Sequence, residues 1–166
     1  MSEDSIRQKI TDRQGEISSV VEKTDILFLL GNVAGEESVI QCDEIAKMAR
    51  KFNVLSFFVG AMPFVLEGKP KLKLAAKNIA MMRDQIDGVL TIDSDKLLSS
   101  NANAQDTLTK TDQMVASMIE NIVDLVMKFG IVNVDFSDLK STVEKAGEVY
   151  FNTISVPRAD IDTIGK

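Results

Sequence analysis

The segment FGIVNVDFSDLK (129–140) sets an amide and two carboxylates, Asn133, Asp135 and Asp138, two and three residues apart behind a long apolar helical pattern. Two readings fit the spacing. In the first, Asp135 is the N-cap of a helix starting at Phe136, Asp138 sits in the positive first turn, and Gly130 is the left-handed stop of the preceding helix. That reading leaves Asn133, Val134 and Phe136 without a role. In the second, the acids are offered to chemistry on another molecule. Spacing alone leaves both open.

Other chemistry-bearing residues are few. Asp93 and Asp95 follow an apolar run and could hold a cation for phosphoryl chemistry, but no third ligand or nucleophile accompanies them, so they read as a polar loop capping the next turn. Pro63, Glu67 and Gly68 read as turn chemistry, and Lys69, Lys71 and Lys73 as a solvated helix start. Cys42 falls on an apolar helix face as a small hydrophobe. The chain has no histidine, which removes Ser-His and Cys-His dyads and every His-ligated metal site.

Composition narrows the rest. With 166 residues the chain suits one domain with a real core, and a net charge of −6 argues against nucleic-acid binding. One cysteine permits no internal disulfide and suits a reducing compartment. The polar start MSEDSIRQK is no signal peptide, and the longest apolar run, Ile26–Leu30, is far short of a membrane span. A soluble, cytoplasmic protein with no membrane span is expected.

The elements that must position these residues follow from periodicity. Residues 1–14 are polar and are expected to fray, with a helical turn or two over 17–23. DILFLL (25–30), VLSFFVGAM (54–62) and GVLTID (88–93) read as strands buried on both faces, the habit of parallel sheets. Between them Val39, Cys42, Ile45 and Phe52, then Leu72, Ala75, Ile79, Met82 and Ile86, recur at helical spacing. A Ser-, Asn- and Ala-rich loop (99–105) precedes a long helix over about 109–129, then a helix over about 137–146 and a strand over 147–155. Strand and helix in alternation make two βαβ crossovers and a parallel sheet. The domain division expected is a polar segment 1–16, one α/β domain 17–155 and a flexible tail 156–166.

Four words in register, DILFLLG, MPFVLEGK, IDSDKLL and GIVNVDFSDLK, now make the chain resemble the cell-division GTPase FtsZ, a bacterial and archaeal relative of tubulin. The counterparts of the last three there are a KPFxFEG-like stretch, an IPNDKLL-like stretch and a GLxNVDFADV-like loop. The resemblance covers about 17–152. It implies an α/β fold that is the parallel three-stranded half of a doubly wound, Rossmann-like GTPase sheet, with flanking helices, a long central helix and a C-terminal helix–strand extension. It also implies that Asn133, Asp135 and Asp138 form the synergy loop, which acts in trans on the nucleotide of a neighbouring subunit by helping to position the attacking water.

The departures are as informative. Nothing before residue 17 spells the first strands of the nucleotide domain, and nothing past about 150 spells the downstream domain. The family's GGGTGTG phosphate loop aligns to AGEESVI (34–40), where only Gly35 remains and Glu36, Glu37 and Ser38 follow. Two carboxylates at a helix N-terminus already satisfy its dipole and would repel a triphosphate. The Asn of IPNDKLL is Ser94, and the Asp offered to guanine becomes Gln113, beside Asp112.

The expectation is an FtsZ-like protein with no nucleotide pocket, no cofactor, no metal and no intrinsic GTPase activity. It would act by protein–protein interaction, as a filament cap or regulator, on an FtsZ- or tubulin-like partner or on its own copies. The alternative is a GTP-binding GTPase fragment or half of a split GTPase. The apolar edge Ile26–Leu30 is expected to be covered by the N-terminal segment, a second copy or another protein, which makes an oligomer the expected state.

Overall fold

The computed structural model describes residues 2–97, 104–127, 136–143 and 147–148. Its elements in chain order are α1 (Glu3–Asp12), α2 (Gln14–Val21), β1 (Ile26–Leu30), α3 (Glu36–Lys51), β2 (Leu55–Ala61), α4 (Lys69–Arg83), β3 (Gly88–Ile92), α5 (Ser94–Leu97), α6 (Ala104–Met127), α7 (Phe136–Val143) and β4 (Gly147–Glu148). The strands form one parallel sheet in the order β1-β2-β3-β4, with Phe28 in register with Phe57, Phe58 with Val89 and Gly88 with Gly147. The three expected strands and the C-terminal helix–strand extension are all there.

β2 carries the core on both faces. Leu55, Phe57 and Val59 pack with Leu90, Ile92, Met118, Ile122 and Val143 under α6 and α7, whereas Phe58 packs with Leu29, Val39, Ala46, Ile79 and Met82 under α3 and α4. A strand covered on both sides has no reason to alternate polar with apolar residues, which is why LSFFVGA reads as a continuous run.

β1 departs from the expectation of burial on both faces. Ile26, Leu27 and Phe28 are half-buried, and Leu30 keeps 57% of its surface exposed. The reason is position: among the described residues β1 has a strand on one side only.

The amino-terminal segment also departs from the fraying expected for it. Ser2 caps α1 by accepting a hydrogen bond from Ser5 N–H, Glu3 and Asp4 occupy its first turn, and Lys9 its last. Tertiary contacts hold this polar helix. Ile6 is buried, and the Arg7 guanidinium bridges Glu3 of α1 and Glu44 of α3, with buried Asp43 at 3.6 Å. α2 adds Val21 to a small cluster with Ala49 and Val54. α6 begins at Ala104, inside the stretch expected to be loop, since Ala and Gln favour helix. α7 starts at Phe136 as expected.

Candidate functional site: the two ends of the sheet

At the carboxyl ends of β1, β2 and β3 lies a cleft of about 430 Å³. Open parallel sheets bind their ligands at this place. Its walls are the β1–α3 loop, the β2 exit from Gly60 to Phe64, and the amino half of α6, where Leu108, Thr111, Asp112 and Val115 face it. Gly31 and Gly60 let the loops meet. A Cβ on Gly60 would stand 2.6 Å from the Gly31 carbonyl oxygen, and one on Gly31 would stand 2.6 Å from Ser38 Oγ. Both positions therefore exclude a side chain.

The loop after β1 is built around Asn32. Its Oδ1 accepts from Ala34 N–H (2.9 Å), and its carbonyl oxygen accepts from Gly35 N–H (3.0 Å) and Ser38 Oγ (3.1 Å). The N–H groups of residues 34 and 35 are thereby used inside the loop, where a phosphate-binding loop would turn them outward. Gly35 is the N-cap of α3 with φ −96°, a conformation any residue adopts, and Glu36 and Glu37 stand exposed in the first turn.

Glu67, Lys71 and Ser94 of the cleft wall are also engaged. Glu67 accepts from Lys71 Nζ at 2.6 Å and from Phe64 N–H at 2.9 Å. Those hydrogen bonds, Lys71's first, hold its carboxyl below the usual range. Ser94 is buried and donates to the Met62 carbonyl at 2.6 Å, pinning the β2 exit. Of the neighbouring pair on α6, Asp112 lines the cleft and Gln113 does not belong to its lining.

Asp93 and Asp95 have structural partners. The Asp95 carboxylate accepts from Val65 N–H at 3.0 Å, and Asp93 accepts from Asp95 N–H at 3.2 Å and lies 3.4 Å from Lys96. This is the capping role of the sequence reading. Among the described residues no three acids, cysteines or histidines converge on a metal position. Cys42 is buried, and burial pushes its thiol up to about 11, as a small inert hydrophobe requires.

The helix that begins the second candidate site lies at the other end of the sheet. Phe136 shares an apolar notch with Asp25 and Ile26 at the start of β1. Lys140 Nζ donates to the Asn53 carbonyl, just before β2, at 2.7 Å. Val143 packs beside Phe57 and Gly88. Asp138 is exposed in the first turn of α7. Asn133 and Asp135 lie outside the described residues, as do Gly130 and the tail 156–166. With strands of five to seven residues, the α7 start and the cleft stand roughly 20 Å apart along the sheet.

Sequence reasoning placed the Glu36–Glu37 helix start and the α7 start. It missed Asn32 as the centre of the loop, the Glu67–Lys71 pair in the cleft wall and the Arg7 clamp. The Gly31-Asn32 pair after a strand was the available signal for the first.

No family model matches the chain. It is 27% identical over 150 residues to the cell division protein FtsZ of Pseudomonas aeruginosa, and 26% identical to that of Azotobacter vinelandii; both alignments cover 89% of this chain and 38% of the relative. The chain thus spans well under half the length of the curated relatives it matches. Among solved structures, an empty FtsZ dimer from M. jannaschii superposes with a TM-score of 0.73 at 24% identity, covering 83% of this chain and 41% of that one. CetZ from Methanosaeta thermophila gives 0.65 at 21%, covering 81% and 39%. No helix among the described residues is long and apolar enough to cross a membrane.

Proposed function

The chain belongs to the FtsZ/tubulin superfamily, and from that premise we propose that it works through protein–protein contact, presenting Asn133, Asp135 and Asp138 to the nucleotide of an FtsZ-like partner. The observation that carries this reading is the separation of the two ends. The start of α7 lies at the amino ends of the strands, so Asp138 in its first turn stands at the opposite end of the sheet from the chain's own cleft. A carboxylate there can act only on a second molecule. In the bound state the acids orient the water that attacks the partner's γ-phosphate, a positioning role that suits phosphoryl transfer.

The chain's own cleft does not return the favour. Asn32 occupies the N–H groups of Ala34 and Gly35, and Glu36 and Glu37 stand at the helix start where phosphate would lie. The next subunit would find no GTP there, so the protein ends a filament instead of extending it. The cleft volume and its position at the strand ends favour a second reading, in which it still takes a nucleotide.

Two measurements separate these. Calorimetric titration with GTP should show no binding tighter than about 100 μM, roughly 5.5 kcal/mol; tighter binding establishes the second reading. Added below stoichiometry to a polymerising FtsZ, the protein should shorten filaments and change phosphate release, and Asp138→Ala and Asp135→Ala should abolish both effects. If wild type and variants leave polymer mass and turnover equally unchanged, the acids are helix caps alone.

A further inference from the structure

The outer edge of β1 is a separate feature. Its inner side is paired: the Asp25 carbonyl accepts from Leu55 N–H, and Gly31 N–H donates to the Val59 carbonyl. Backbone groups alternate sides along a strand, so residues 25, 27, 29 and 31 face β2, and the N–H and C=O of Ile26, Phe28 and Leu30 face outward. No strand among the described residues lies on that side. The five residues are apolar and carry no charge, a composition that soluble proteins seldom leave bare at an edge.

The side chains beside this edge are as specific as the backbone. Ile26 and Phe28 lie on the α6 face of the sheet, where Phe28 stacks on Phe57 at 5.5 Å between ring centroids. At the amino end, Ile26 borders an open notch of about 370 Å³ with Val123, Met127 and Phe136, of which Met127 is 73% exposed. At the carboxyl end, two residues past Phe28 on the same face, Leu30 projects with over half its surface exposed. The strand therefore ends in a knob at one end and a hollow at the other.

We infer that β1 pairs with β1 of a second copy, antiparallel about a twofold axis through Phe28. In that register Phe28 meets Phe28 of the second copy, and Ile26 meets Leu30 of the second copy. Every outward N–H then finds an outward carbonyl. Each Leu30 arrives beside the notch at the other copy's Ile26, so knob and hollow are filled twice by one symmetric contact, as an isologous interface requires. Charges are compatible, because Asp25 falls opposite Gly31 and Lys23 opposite Val33, with no like charges paired. A shift by one residue would set outward groups against inward ones. The contact uses neither the carboxylates of α7 nor the partner proposed above.

The test is hydrogen exchange read together with association state. By sedimentation velocity the chain should be a concentration-dependent dimer. The amides of Ile26, Phe28 and Leu30 should gain protection as the dimer forms, while those of Leu27 and Leu29, bonded to β2, stay protected throughout. Leu30→Lys places a charge at the notch and should weaken the dimer at least about tenfold. Met127→Lys, at the exposed wall of the notch, should do the same and serves if Leu30→Lys does not fold. A chain that stays monomeric overturns the inference, whether the outward amides exchange freely or are shielded by something else. So does a dimer indifferent to both substitutions.

Discussion

Lys140 Nζ and the carbonyl oxygen of Asn53 meet at 2.7 Å, across 87 residues of chain. Asn53 ends α3 with φ 60°, and Val54 N–H bonds back to the Ala49 carbonyl, a left-handed helix stop that leaves the Asn53 carbonyl pointing outward. One hydrogen bond thereby fastens α7 to the amino end of β2 and holds the Asp138 end of the molecule away from the cleft.

Backbone conformation at Asn53 should decide how the site tolerates change. Asn53→Ala forces a Cβ-bearing residue without Asn's local hydrogen bonds into left-handed space and should cost about 1 kcal/mol, whereas Asn53→Gly should be close to neutral. Lys140→Met should cost about 0.5–1 kcal/mol, since the bond is solvent-exposed. Urea midpoints at unchanged m value would measure all three.

Packing should outweigh charge in holding α1. Ile6 is 3% exposed, so Ile6→Ala should cost about 2–3 kcal/mol. Arg7 keeps a third of its side chain in water, so Arg7→Ala should cost about 1 kcal/mol or less, and that cost should shrink in high salt. The comparison is made by thermal unfolding at low and high ionic strength. An Arg7 effect larger than the Ile6 effect would mean that the ion pairs hold the helix.

Cys42 should make stability fall in alkali. Its thiol is raised from 9.0 to about 11 by burial, so the unfolded chain loses this proton first as pH rises. The contribution is fully present below pH 9 and lost as pH climbs through about 11. Comparing wild type with Cys42→Ala isolates it: the alkaline slope between pH 9 and 11 should be shallower in the variant. At pH 8 a thiol reagent should modify the folded protein far more slowly than the unfolded chain.

Neutralising the acids at the start of α3 should not create a nucleotide site. Glu36→Gln with Glu37→Gln removes the repulsion but leaves Ala34 and Gly35 N–H bonded to Asn32. GTP binding should stay undetectable by calorimetry. Thermal stability should fall by about 0.3–1 kcal/mol for each carboxylate lost from the helix N-terminus. Measurable GTP affinity in this variant would show that charge alone closes the cleft.

The alternation of continuous apolar runs with helical periodicity determined the parallel α/β sheet by itself, because local pattern and burial on both faces report the same thing. The start of α7 at Phe136 and the two glutamates opening α3 were legible for the same reason: caps and dipoles act over a single turn. What only the tertiary structure decided depends on partners distant in sequence. Ile6 and Arg7 look like a frayed polar start until α3 is set beside them. DILFLL reads as a strand buried on both faces, and only the packing leaves Ile26, Leu27 and Phe28 half-buried and Leu30 exposed. The Asp138 end and the glutamate end could have shared one site, but the Lys140–Asn53 bond and the Val143–Phe57 packing put them at opposite ends of the strands. A one-dimensional pattern states which face of each element is buried; which end of the sheet a loop reaches is set by pairing register and by packing between segments tens of residues apart.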